Sequence, residues 1–165
     1  MVGDPSYFED KTRVSYQVVR AICLMSHPVP NTDGAGSCQV ILPQKQVGRR
    51  SDIYISALGS ELEVAPAGKF VAMVSTTVET AEPLGELRPG IELLGPVDDM
   101  FVEVVDIREP LEDGRRDRCF VSRGYDPTSH FESTVEDVLE LYWRITGRNL
   151  DLSANKLPNL QQQGE

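Results

Sequence analysis

From Val14 the chain alternates, with Val14, Tyr16 and Val18 apolar against Ser15 and Gln17, and then becomes almost wholly apolar over Ala21 to Met25. Alternation followed by a continuous apolar run predicts a strand that starts half-exposed and enters a core. Ser26 to Ser37 (SHPVPNTDGAGS) breaks the pattern with prolines, glycines, Asn31 and Asp33, and reads as a loop. Further strands are expected over Cys38–Leu42, stopped by Pro43, over Asp52–Leu58, and over Lys69–Val78, which is rich in β-branched residues. Phe101–Ile107 and Cys119–Ser122 complete the set. Short turns between successive strands argue for a largely antiparallel sheet. Pro83 to Pro96 is punctuated by proline and glycine, and only Glu92–Leu94 is expected to form a helical turn. Asp113-Gly114 marks a turn in the charged loop 111–118.

Near the end the period changes. Val135, Val138, Leu139, Tyr142 and Ile145 recur at helical spacing and predict one buried stripe packed on the sheet. Ser133 with Glu136 three positions on fits a capping box. Gly147 suits a left-handed stop. The expected fold is thus mixed α/β, of the α+β kind: mostly antiparallel sheet with one C-terminal amphipathic helix. Past Ser153 the residues turn to Asn, Gln and Pro, and a flexible tail over 153–165 is expected beyond a body at 1–152.

Charge narrows the partners. The net charge is −10, and residues 61–113 hold thirteen acidic against three basic side chains, so that stretch alone accounts for the whole excess. Such a surface repels phosphates, which excludes nucleic acid as a partner class. It either solubilises or faces a basic protein segment. No apolar run approaches the length of a membrane span, and the N-terminus lacks the basic start and apolar core of a secretory leader, so a cytoplasmic setting and no stable membrane insertion are expected. Three widely spaced cysteines, Cys23, Cys38 and Cys119, fit reduced structural thiols.

Candidate chemistry is sparse. The two histidines, His27 and His130, lie about a hundred positions apart, and no cysteine pair sits within four residues, so no metal cluster is expected. Ser129, His130 and Asp126 contain the residue types of a nucleophilic triad, but they are neighbours on one loop without a G-x-S-x-G elbow; His130 reads better as a loop-fixing partner. Gly34-Ala35-Gly36 precedes a strand rather than a helix and reads as a turn, not a phosphate cradle. The segment Tyr125 to His130, ahead of the helix, is placed to hold an anion, against the simpler reading that Asp126, Thr128 and Ser129 fix the turn. On residue chemistry alone there is no catalytic, cofactor-binding or metal-binding residue to assign.

Six stretches carry a resemblance: DPSY (Asp4–Tyr7), ICLMSHPVPNT (Ile22–Thr32), QVILPQKQVGRRSDIY (Gln39–Tyr54), APAGKFVAMVSTTVET (Ala65–Thr80), ELLGPVDD (Glu92–Asp99) and GYDPTSHFESTVEDV (Gly124–Val138). Together, in this order, the chain resembles the Rab GDP-dissociation inhibitors and the related Rab escort proteins, and the QKQ-GR and ITGRNLDLS variants are similar to plant or green-algal members. The resemblance covers the C-terminal portion of the family only. It implies part of a FAD/NAD(P)-binding-like fold without bound flavin, no catalysis and no cofactor. It implies a protein that, when complete, binds GDP-bound prenylated Rab GTPases, slows GDP release and keeps them soluble in vesicle traffic. The alternatives are a Rab escort-like subunit and a remnant of a flavin-dependent oxidoreductase. The family's Rab platform and prenyl pocket lie outside the stretches matched, so no contact residue is carried onto a number here. Pro127 and Ser129 depart from the family pattern, as does Leu58–Val64.

Overall fold

The computed structural model describes residues 1–124, Pro127 and 132–153. Its centre is a five-stranded antiparallel sheet. Strand β2 (Thr12–Met25) is the longest, and its neighbours are β5 (Phe70–Thr77) on one side and β6 (Asp99–Pro110) on the other. Beyond β5 lie β4 (Ile53–Gly59) and then β3 (Ser37–Leu42), giving the order β3-β4-β5-β2-β6. Five of the six expected strands form this sheet, and β6 runs further than Phe101–Ile107 in both directions. The pairing of β2 with β6 shifts register between Val14 and Tyr16, which accommodates Ser15 as an extra residue.

Register places Val19, Ala21, Cys23 and Met25 of β2 on one face, beside Ala72 and Val74 of β5 and Ile55 and Ala57 of β4. These residues are nearly inaccessible to solvent and form the core. A helix covers them: α1, Pro83–Leu94, which closes the core with Leu87 and Leu94. Here the structure corrects the sequence reading, which allowed only one turn over Glu92–Leu94. Pro83 occupies the first turn, where its missing N–H costs nothing. Pro89 sits inside the helix, where it removes one backbone bond. Burial outweighs that loss. Leu87, Gly90, Ile91 and Leu94 share a face, and Gly90 lets the helix lie directly on the sheet: a Cβ there would stand 2.6 Å from Val74 Cγ1 and 3.0 Å from Ile53 Cγ2.

The second, smaller sheet is parallel. Strand β1 (Val2–Gly3) pairs with β7 (Phe120–Val121), Val2 opposite Phe120 and Gly3 opposite Val121. Helix α2, Glu132–Thr146, follows and ends with Gly147 at φ 72, the left-handed stop expected there. Gly147 N–H donates to Trp143 O at 2.8 Å. Ser133, however, lies inside the helix rather than at its cap. Residues 154–165, which contain most of the expected tail, are outside the described residues.

Candidate binding surface

Ligands in open α/β sheets sit beyond the carboxyl ends of parallel strands, which in this chain is the segment that follows β7. The structure confirms the strand and the helix. Tyr125, Asp126, Thr128, Ser129 and His130, the triad and anion-site candidates, lie outside the described residues. Pro127 is buried, and its carbonyl accepts a 2.6 Å hydrogen bond from Ser75 Oγ of β5.

Helix α2 returns along β7 through charge rather than grease. Arg144 is 5% exposed and donates to Val121 O at 3.0 Å, while Asp137 accepts from Arg123 N–H at 3.2 Å. Burial pushes the Asp137 carboxyl up, against the opposing pull of that N–H and of the Arg144 charge. Arg115 lies over the Trp143 ring, 4.3 Å from its centre, and donates to the Trp143 and Arg144 carbonyls near the negative end of the helix.

The predicted apolar stripe of α2 does not face the sheet. Val135 (50%), Val138 (55%), Tyr142 and Ile145 are exposed, and Leu139 is half-buried. The sequence reading was correct about the helix and wrong about its contact. Periodicity shows that a helix has an apolar face; it does not show that the chain contains the surface this face meets. With only two short parallel strands beside it, α2 overhangs the sheet.

His27 also has a structural duty. Its ring nitrogens lie 2.7 Å from Pro28 O and 2.8 Å from Pro96 O, joining the loop after β2 to the loop after α1. The Pro28 carbonyl, then the Pro96 carbonyl, favour the imidazolium and raise the His27 pKa, since only the charged ring donates from both nitrogens. Gly34-Ala35-Gly36 is a turn, closed by Ala35 N–H on Thr32 O at 3.0 Å.

One cluster escaped the sequence reading. Arg49, in the basic segment 44–51, donates to Glu86 at 2.5 Å and to Thr77 O at 2.9 Å, and lies 3.4 Å from Glu79. Glu86 also accepts from the backbone N–H groups of Glu79 and Thr80 and from Thr80 Oγ1. Burial alone would raise the Glu86 carboxyl, but the hydrogen bonds from Thr80, Arg49 and the two backbone groups outweigh it and hold it below the ordinary carboxylate range. The motif that carries Arg49, QVGRR, lacked any signal for a partner nearly forty residues away.

Among the described residues no His, Cys, Asp or Glu side chains converge three together as a metal site requires, and no helix is long and apolar enough to cross a membrane. The slot between β2, β6 and α2, lined by Tyr16, Arg108 and Asp137, measures about 220 Å³, and the larger hollow over β3 and β4 beside Cys38 and Leu58, about 410 Å³, is an open surface depression rather than an enclosed ligand site. What the chain offers instead is surface. Phe101, Val102, Val104, Ile22 and Leu24 are exposed on and beside β6, and the α2 stripe adds a second apolar area. A folded monomer rarely leaves so much uncovered.

Residues 1–157 match the family model described as GDP dissociation inhibitor. The chain is 53% identical over 155 residues to guanosine nucleotide diphosphate dissociation inhibitor 1 of Arabidopsis thaliana, covering 94% of this chain and 35% of that protein. It is 48% identical to the probable secretory pathway GDP dissociation inhibitor 1 of Schizosaccharomyces pombe, covering 99% and 37%. With Rab GDP dissociation inhibitor beta of the dog the identity is 46%, covering 94% and 35%. The crystal structure of a Rab GDI from Plasmodium falciparum superposes with a TM-score of 0.87 at 39% identity, covering 91% of this chain and 35% of that one. The chain therefore spans about a third of the length of the relatives it matches. Its α/β architecture is part of the FAD/NAD-binding-like fold of that structural relative, and the chain belongs to the GDP dissociation inhibitor family.

Proposed function

We propose that this chain is the C-terminal portion of a Rab GDP-dissociation inhibitor. Complete, such a protein binds GDP-bound prenylated Rab GTPases, slows GDP release and keeps them soluble in the cytoplasm between rounds of vesicle traffic. The observation that carries this reading is the family match over 1–157 at about half identity to several dissociation inhibitors. The function is non-catalytic. Nothing in the described residues assembles a nucleophile, and the acidic stretch 61–113 leaves nucleic acid unfavoured as a partner.

The portion has a supporting role. Extraction of a prenylated protein needs its lipid sheltered, at about 0.8 kcal/mol per buried CH₂, together with a grip on the GTPase itself. Two linked grips gain through effective concentration, and either alone is weak. This segment contributes sheet and helix on which the remaining two-thirds of the relatives' length is built.

The test is release of prenylated GDP-loaded Rab from membranes. The chain alone, at micromolar concentration, is expected neither to release Rab nor to slow GDP dissociation, and the N-terminal two-thirds of a relative added in trans is expected to restore part of both. Efficient release by the chain alone would show that the working surface lies within it.

A further inference from the structure

Strand β6 is an edge strand, and among the described residues nothing pairs with its outer side for most of its length. In an antiparallel ladder alternate residues turn both backbone groups to the same side. Arg108 turns its carbonyl away from β2, where it accepts from Gly124 N–H at 2.9 Å. Asp106, Val104, Val102 and Met100 share that phase. Met100 N–H agrees with this direction: it donates to the Asp99 side chain, 2.9 Å away. Among the described residues no backbone group bonds to the outer side between Met100 and Asp106.

The side chains there have a definite order. Met100 (37%), Val102 (40%) and Val104 (44%) are exposed on one face, with Asp106 following them. On the other, Asp99, Phe101 (57%) and Glu103 alternate acid, aromatic, acid. Asp98 is already paired with Lys69, and Glu109 with Arg13. Among the described residues Asp99 and Glu103 have no ion-pair partner; Glu103 lies opposite Arg20 in register without forming a bridge to it. Natural edges this apolar are usually blunted by lysine, proline or a bulge, and between Asp99 and Asp106 this one carries only carboxylates.

We infer that the β6 edge takes up an extended, basic and apolar protein segment as an added strand. The backbone supplies affinity and the side chains supply register. A strand laid antiparallel on β6 would set basic residues against Asp99, Glu103 and Asp106, with apolar residues between them. A second copy of this chain fits poorly, because it would bring its own carboxylates against these. This inference stands on β6 alone and is independent of the Rab reading.

The probe is a labelled peptide, Lys-Val-Thr-Lys-Val-Tyr-Val-Lys, titrated into the full chain by fluorescence anisotropy at two salt concentrations. Saturable binding that weakens with salt is expected, with slower amide exchange at Val102 and Val104. Val102→Pro removes an outward N–H that β2 does not use, and should weaken binding at least tenfold. Asp99→Lys with Glu103→Lys touches no buried group and should weaken binding comparably while leaving the melting curve in place. Equal binding of a version with proline at alternate positions would overturn the proposal, as would protection elsewhere than β6. It also fails if sedimentation shows a dimer that Val102→Pro abolishes, for then a second copy is the occupant. Val102 and Val104 amides already slow in a full-length family member without peptide would overturn it too, since the rest of that fold would cover the edge.

Discussion

Arg49 and Glu86 show how much of this structure depends on a few buried charges. A guanidinium and a carboxylate held out of water stabilise only when every remaining donor and acceptor is met. Glu86 meets that condition through Thr80 and the backbone of Glu79. Arg49 meets it less fully, because its Nε is buried without a partner. Arg49→Met should therefore cost about 3 kcal/mol, the low end for breaking a buried pair, read as a lower urea midpoint at neutral pH. The pH dependence has a definite sign. Glu86 is depressed in the folded state relative to an ordinary value of 4.5, so its contribution is complete above 4.5 and is lost as pH falls through the lower folded value. Glu79, depressed by the Arg50 backbone, Ser51 and Arg49 against its own burial, acts in the same window. The urea midpoint should drop as the solution is acidified below that point, and Glu86→Gln should flatten the drop; an unchanged slope would remove Glu86 from the account.

At the scale of elements, the two glycines of α1 play opposite parts, and so do the leucines of the two helices. Gly90→Ala brings a methyl into Val74, an overpacking cost of about 1–3 kcal/mol that exceeds the helix-propensity gain, whereas Gly85→Ala meets nothing closer than 4.0 Å and should stabilise. Thermal melts of the pair give the comparison directly. Leu87→Ala should cost about 2–5 kcal/mol as a buried leucine does. Leu139→Ala, on the overhanging helix, should cost less than about 1 kcal/mol, against the larger loss its place in the apolar stripe suggests. These contrasts also mark what was legible beforehand. Strands β2 to β6 are each long enough for a two-residue period to show, and each carries its own β-branched residues. Helix α1 was hidden because Pro89 and Gly90 are breakers in isolation, and only contact with Ile53 and Val74 turns Gly90 into a requirement. Strand β1 is two residues long and has no local signal at all, being defined by a partner more than a hundred positions away. The candidate loop residues were legible as types but not as a site, and the Arg49 cluster was invisible because its members meet only after the sheet has formed.

For the whole molecule, the governing fact is where the two sheets join. The Met1 amino group donates to Arg118 O at 2.6 Å, Phe120 N–H to Met1 O at 2.9 Å, and Ser122 N–H to Gly3 O at 3.0 Å. Parallel strands are ordinarily buried on both faces within a larger sheet, and a pair this short has little independent stability. Closing a loop of this length costs about 4 kcal/mol of chain entropy by the logarithmic law, which four residues of ladder do not repay. The antiparallel sheet with α1, by contrast, holds its own core. A chain cut to Thr12–Pro110 should therefore unfold cooperatively in urea, with a midpoint near that of the full chain, and a broad, gradual transition would show that the ends are needed. Because β1 and β7 lie side by side, the polypeptide leaves one strand and re-enters at its neighbour. Everything between them is in effect a module inserted into a parallel sheet at a single gap. Such an insert can be exchanged, lengthened or hinged as a unit without disturbing the pairing of β1 with β7.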